Sequence, residues 1–217
     1  MMIFKSIRII LNKSCHRFLL EYHLKLFIKD NLIDNKNNLI VDFGCGNPRY
    51  KDFLPLSKWK FFDKQTSFKN VEFANEEYIP VENADLFICI EVLQYLNLKE
   101  ISNLNNEINR IISQKGKAII SVPYLYPCNH KEYIRLRKPK SYFQKNKNFN
   151  FKYKGFGNLG SIIHDSLFQF IIYEKISFLK YIMLFILLPL KYISLFLEKK
   201  NLFKIDSGYL IFILSCK

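Results

Sequence analysis

The sequence predicts an α/β protein built on a doubly wound, mostly parallel sheet of seven strands flanked by helices. Three observations carry this. Residues 39–50 (LIVDFGCGNPRY) form an apolar run that stops at an acid, Asp42, and two glycines, Gly44 and Gly46. Residues 84–90 (ADLFICI) are continuously apolar, as a strand buried on both faces of a parallel sheet must be. Between that run and the next one, residues 117–122 (KAIISV), lies a stretch of helical periodicity, and strand–helix–strand order implies right-handed crossovers.

The first strand is expected over 39–43. Glycines after it let the backbone come close to a ligand, and a helix following them would offer free N–H groups. Residues 59–63 (WKFFD) read as the second strand, 70–73 as a third and 84–90 as the fourth. Asn97 caps the next helix, and Glu100, three residues on, completes a capping box. Ile101, Leu104, Ile108 and Ile111 form its inner stripe, and Gly116 is expected just past its end. Residues 117–122 give the fifth strand, ended by Pro123. Residues 148–154 alternate Phe149, Phe151 and Tyr153 as a sixth strand, 161–173 read as a helix, and 209–215 (YLIFILS) as the last strand. Upstream, Phe18, Leu19, Tyr22, Leu26, Phe27 and Ile33 mark an amphipathic helix within 14–33, and 31–38 is a polar connector. The expected division is a helical segment over 1–38 and an α/β domain over 39–217, with an apolar helical insertion at about 160–200 before the last strand.

Composition narrows the function. A chain of 217 residues, 49% hydrophobic and 16% aromatic, has the material for one well-cored domain and is not disordered. The net charge of +14 predicts an anionic partner: nucleic acid, lipid headgroups or a phosphorylated small molecule. More than half of that excess falls in 131–154, which holds nine Lys or Arg and one acid. The five cysteines are scattered without a CxxC pair, so no metal site is expected, and Cys45 and Cys128 read as small fillers. The N-terminal apolar run, residues 9–11, is too short for a signal sequence, so the expected location is cytoplasmic.

At this point the residues resemble a family. VDFGCG (41–46), FFD (61–63), YIPVENADLFICIEVLQYL (78–96) and INRIISQKGKAIISVP (108–123), in that order and spacing, are similar to the motifs of small class I S-adenosylmethionine-dependent methyltransferases. VPYLYPCNHKEYIRL (122–136) resembles a subgroup whose pattern runs from that proline into a His and a Tyr-x-x-Arg stretch, and GYLIFILSCK resembles the final strand. The resemblance implies a Rossmann-like sheet with an antiparallel last strand, and S-adenosyl-L-methionine as cofactor. It implies that Phe43, Gly44, Cys45 and Gly46 pass under the methionyl part while Asp42 orients the turn. Asp63 would accept both ribose hydroxyls, Asn75 and Glu76 would border the adenine, and Glu91 would flank the methionyl end. The sequence departs from the family pattern at Asn75 and Gln94, each in place of an acid, and at Tyr95 in place of a His.

Nicotinamide-binding turns want G-x-G-x-x-G; here the sixth position is Arg49 and an acid precedes the first glycine, which favours the methyl donor. His130, with Glu132 second, is the candidate base after strand five, although a His in a polar loop is commonly only solvated. The basic stretch could be a solvated surface, or an RNA path stacking bases on Tyr142, Phe143, Phe149, Phe151 and Tyr153. Residues 176–198 leave three readings: a membrane-interface helix with a narrow polar stripe (Ser177, Lys180, Lys191, Ser194, Glu198), a helix hairpin covering the core, or a true span. The expected function is in-line methyl transfer to a small-molecule, saccharide- or lipid-linked acceptor at oxygen, by a protein in peripheral contact with the inner membrane face. RNA methylation, and a non-catalytic cofactor-binding subunit held at a membrane or partner, are the other classes.

Overall fold

The structure, a computed structural model, describes residues 11, 13–32, 34–65, 67–124, 149–172 and 177–216. In chain order the elements are α1 (Cys15–Asn31), β1 (Leu39–Phe43), β2 (Lys58–Asp63), β3 (Val71–Phe73), β4 (Ala84–Ile90), α2 (Leu98–Ile111), β5 (Ile112–Pro123), β6 (Phe149–Asn158), α3 (Leu159–Ile172), α4 (Ser177–Lys200) and β7 (Lys204–Cys216). The seven strands form one sheet in the order β3-β2-β1-β4-β5-β7-β6. Pairs β1–β2, β1–β4, β2–β3 and β4–β5 are parallel, and the C-terminal strands are antiparallel. The strand order reverses between β1 and β4, which makes their carboxyl ends the crevice where such sheets take ligands.

The chain divides into two compact units. The larger comprises Ile28–Pro123, Glu132–Lys154 and Tyr209–Lys217. Its core packs Val41, Phe43, Phe87, Cys89, Ala118 and Ile120 from the sheet against Ile101, Leu104, Ile108 and Ile111 of α2. Each of those helix side chains contributes about 1.5–3 kcal/mol by leaving water. The capping box forms as expected: Asn97 Oδ1 accepts from the Lys99 and Glu100 amides, and Glu100 accepts from the Asn97 amide.

Two local expectations change. Gly116 does not follow the helix at its end, because the helix stops at Ile111 and β5 begins at once. Gly116 instead sits in a bulge: Ala84 pairs with Ile112 but Leu86 pairs with Lys117. A Cβ at Gly116 would lie 2.5 Å from the Ala84 carbonyl oxygen, so the bulge requires glycine. Nor does an α-helix follow the Gly44–Gly46 turn; the chain makes only a 3₁₀ turn at Lys51–Phe53 before β2. Pro48 and Pro55, with only fourteen residues between the two strands, leave no room for a longer helix.

The smaller unit comprises Met1–Phe27, Tyr124–Lys131 and Gly155–Gly208. On α1 the buried face is Leu19, Leu20, Leu24, Phe27 and Ile28 together with His16 and His23, whereas Leu26 is exposed. Of the expected stripe, Leu19 and Phe27 are buried, Phe18 and Tyr22 are half-buried and Leu26 is exposed, because His16 and His23 take part of the inner face; Ile33 lies outside the described residues. His23 Nε2 lies 2.7 Å from Glu198 Oε1 of α4. Helix α4 runs unbroken through Pro189 and packs Leu184 and Leu187 against Phe168 and Ile171 of α3.

Candidate functional site

The carboxyl ends of β2, β1 and β4 are level. Phe43 is in register with Phe62 and Asp42 with Ile88, so one or two residues further on Gly44, Asp63 and Ile90 stand in a row. The turn after β1 is held from β2: the amides of Gly44 and Cys45 donate to the Phe62 carbonyl at 2.8 and 3.3 Å. The Gly46 amide donates to Asp63 Oδ2 at 2.8 Å, and Gln65 N–H to Asp63 Oδ1 at 2.9 Å. Asp63 is half-buried, so each oxygen keeps acceptor capacity toward the crevice.

The two glycines do different work. Both have positive φ, 69° at Gly44 and 51° at Gly46. A Cβ on Gly44 would come within 2.3 Å of Val92 Cγ2, so that glycine is required by the segment after β4 closing over the turn. A Cβ on Gly46 would meet nothing within 4 Å, so the backbone there borders open space. Cys45 lies between them. Its thiol is pushed up to about 12, first by burial and then by Asp42 and Asp63, so it remains neutral, and Sγ lies 3.5 Å from the Gly46 carbonyl oxygen. Asp42 is buried on β1; Cys89, wholly buried, is likewise raised by burial and by Asp42.

Past β4, Glu91 adopts φ 57°, a left-handed conformation that costs a non-glycine residue about 1 kcal/mol or more. The surrounding bonds hold it there. Its amide donates to the Ser121 carbonyl and to Ser121 Oγ at 3.2 and 3.0 Å, and its carbonyl accepts from Gln94 Nε2 at 2.5 Å. Ser121 and Gln94 are both buried. Gln94 Oε1 is buried without a hydrogen-bond partner among the described residues.

The third side of the crevice is the loop after β3. Asn75 Oδ1 accepts from the amides of Glu77 and Tyr78 at 3.1 and 3.2 Å, a local turn. Glu76 is buried and pairs with Lys64 at 2.9 Å; burial would raise its carboxyl, but Lys64 and a backbone N–H outweigh that and hold it below the ordinary carboxylate range. The loop is pinned to α2 by Glu107, which accepts from the Ile79 amide at 2.9 Å, and by Arg110, which donates to the carbonyls of Ile79 and Val81 at 2.6 and 3.3 Å.

The structure thus gathers Asp42, Phe43, Gly44, Cys45, Gly46, Asp63 and Glu91 at one sheet edge, with Asn75 and Glu76 on the loop that follows β3. His130 and Glu132 lie outside the described residues. Sequence reasoning did not find Ser121, Val92 or Gln65. The one available signal for Ser121 was a polar residue in the otherwise apolar run AIISV. His164 is wholly buried, its Nδ1 2.8 Å from Asp165 Oδ1 on its own helix.

By sequence the chain matches no family model and no curated protein. By structure it is similar to a S-adenosylmethionine-dependent methyltransferase from Archaeoglobus fulgidus, at 12% identity and a TM-score of 0.53, covering 88% of this chain and 93% of that one. It is similar to a putative methyltransferase from an antibiotic biosynthesis pathway of Anabaena variabilis, at 14% identity and TM-score 0.54 over 88% and 96%. It is also similar to geranyl diphosphate C-methyltransferase from Streptomyces coelicolor, solved with Mg2+, geranyl diphosphate and S-adenosyl-L-homocysteine, at 12% identity and TM-score 0.52 over 93% and 81%. The fold is that of the class I S-adenosylmethionine-dependent methyltransferases, a Rossmann-like sheet.

Proposed function

We infer that the chain is a methyltransferase that binds S-adenosyl-L-methionine across the carboxyl ends of β2, β1 and β4. The observation that carries this is the pairing of Gly46, whose backbone borders open space, with Asp63, whose carboxylate is oriented by the Gly46 and Gln65 amides. When bound, S-adenosylmethionine supplies a methyl group made electrophilic by its sulfonium.

The residues present fit that group. Asp63 accepts the ribose hydroxyls in charge-assisted hydrogen bonds while the two amides hold it in place. Asn75 spends its carbonyl oxygen on the local turn, so its amide nitrogen is the donor it offers to an adenine ring nitrogen. Gln94 Oε1 and the strained Glu91 segment border the methionyl end. The neutral Cys45 adds no competing nucleophile. The protein's contribution to rate is then alignment of the acceptor atom with the S–CH3 bond and exclusion of water.

The acceptor we propose is a small saccharide- or lipid-linked molecule carrying negative charge, methylated at oxygen with His130 as base and Glu132 as second candidate. The support is in the sequence: a stretch of net +8 over 131–154 follows the fifth strand, and a long apolar helix comes after it. Calorimetric titration with S-adenosylmethionine and S-adenosylhomocysteine tests the donor site. Micromolar-range binding is expected for the wild type, and no binding to either compound would overturn the reading.

A further inference from the structure

The helical pair of the smaller unit departs from the pattern of a water-soluble one. Beyond its small core of Phe168, Ile171, Leu184 and Leu187, several polar side chains face inward and large apolar ones face out. On α3, Ser161, His164 and Asp165 are buried, while Leu167 and Phe170 are exposed, Phe170 by 80%. On α4, Lys191 and Ser194 are buried, whereas Phe178, Phe185, Ile186 and Phe196 are 56–76% exposed. Three members of the polar stripe, Lys191, Ser194 and Glu198, therefore look inward: Lys191 donates to the Leu11 carbonyl at 3.3 Å, and Glu198 accepts from the Gly157 amide at 3.1 Å and lies against His23. A core helix of a soluble protein is as long and apolar as this but mostly buried, whereas only 22% of the apolar stretch within Phe178–Lys200 is buried. A face of this size and character on a soluble monomer marks a surface that is covered in use.

We propose that the outer faces of α3 and α4 form a monotopic membrane-docking surface that inserts into the headgroup and upper acyl region of an anionic bilayer. Charge selects this occupant. No acid occurs from Ser177 to Leu197, and the acids carried by the two helices themselves, Asp165 of α3 and Glu198 of α4, are turned inward. Cations follow the face along the chain: Lys199 and Lys200 are exposed at the end of α4, and Lys204, paired with Asp206 at 3.9 Å, opens β7. Basic side chains beside an embedded apolar face are what anionic headgroups attract.

Geometry disfavours crossing. The Leu159 amide donates to the Phe203 carbonyl at 3.0 Å, so the start of α3 lies beside the end of α4. If α4 spanned the bilayer, the chain would have to return through it, and the fourteen residues of α3 reach only about 21 Å against a hydrocarbon core of about 30 Å. A pair lying along the surface fits these lengths better.

The test uses the full chain without cofactor, so its outcome is independent of the methyl-transfer reading. Vesicles of phosphatidylcholine with and without phosphatidylglycerol are sedimented with the protein. The wild type is expected to partition onto the anionic vesicles, less so as salt is raised. The paired substitution Phe185→Gln with Ile186→Gln is expected to weaken partition about tenfold or more, since binding scales with buried apolar area, without lowering the melting temperature of these exposed sites. A Phe185→Trp reporter in a Trp59→Phe background is expected to shift to the blue and be quenched by brominated acyl chains. Equal partition of the wild type and the paired variant overturns the proposal. So does a wild type that ignores vesicles, whether it is monomeric or forms a dimer that the paired variant dissociates; in the dimer's case the face is a contact between copies of the chain.

Discussion

The Gly46 amide donates to Asp63 Oδ2 across 2.8 Å, tying the turn after β1 to the tip of β2. One carboxylate thus both builds the turn and faces the crevice. Asp63→Ala removes the anchor of the turn together with the proposed ribose acceptor. The expected result in calorimetry is a loss of S-adenosylmethionine affinity of about 100-fold or more, since hydrogen bonds to charged groups contribute about 1.5–3 kcal/mol each. Asp63→Asn keeps an acceptor for one of the two amides and is expected to lose less. Unchanged affinity in Asp63→Ala would remove the ribose assignment while leaving the fold intact.

The two glycines of the turn separate stability from binding. Gly44→Ala places a methyl 2.3 Å from Val92 Cγ2 at a φ of 69° and is expected to lower stability by about 2 kcal/mol or more, read as a fall in melting temperature. Gly46→Ala meets no protein atom within 4 Å, so it carries only the cost of its positive φ, about 1 kcal/mol. Its methyl projects into space the cofactor would use. Its larger effect is therefore expected in cofactor titration, and the reverse ordering of the two variants would contradict the assignment.

Lys191 predicts an alkaline signature. Burial lowers its ammonium from the ordinary 10.5 to about 8, with Cys15 and Asp165 opposing. Between those values the unfolded chain holds a proton that the folded chain has released. Stability therefore rises with pH across this window, by at most about 1.4 kcal/mol per pH unit. Lys191→Met keeps most of the volume and removes the buried charge. Denaturant titrations are expected to show the variant more stable than the wild type near pH 7, with the difference shrinking from pH 8 to 10.5. A difference independent of pH would mean that the side chain titrates normally.

Glu198 predicts the acid limb. Burial would raise its carboxyl, but His23, the Gly157 amide and Asn158 outweigh burial and hold it below the ordinary 4.5. A depressed carboxyl stabilises the fold above its unfolded value and loses that contribution as pH falls through the folded one. Glu198→Gln is expected to lose about 1–3 kcal/mol at neutral pH. Its stability is also expected to fall less steeply than the wild type's below about pH 4.5. Parallel acid limbs for the two proteins would place Glu198 outside the network.

Much of the larger unit was legible in the sequence because its signals are local. The boundaries of β1 and β4 follow from runs cut by Gly44 and Glu91, and the start of α2 follows from Asn97 and Glu100. The missing helix after Gly46 and the bulge at Gly116 were not legible. One depends on how little chain joins two strands whose register only pairing sets; the other depends on the Ala84 carbonyl, thirty-two positions away.

By itself the sequence determined the strand–helix order, the glycine turn and the acids that end the strands, since each rests on backbone chemistry within a few residues. Only the tertiary structure decided which way the polar stripe of α4 faces. A helical wheel shows that Lys191, Ser194 and Glu198 share a side, but not what stands opposite. His23, Asn158 and the Leu11 carbonyl, brought in from distant parts of the chain, turn that side inward and leave the apolar side out. The same distance in sequence hid Ser121 and Val92, whose contacts set the backbone of Glu91 and Gly44.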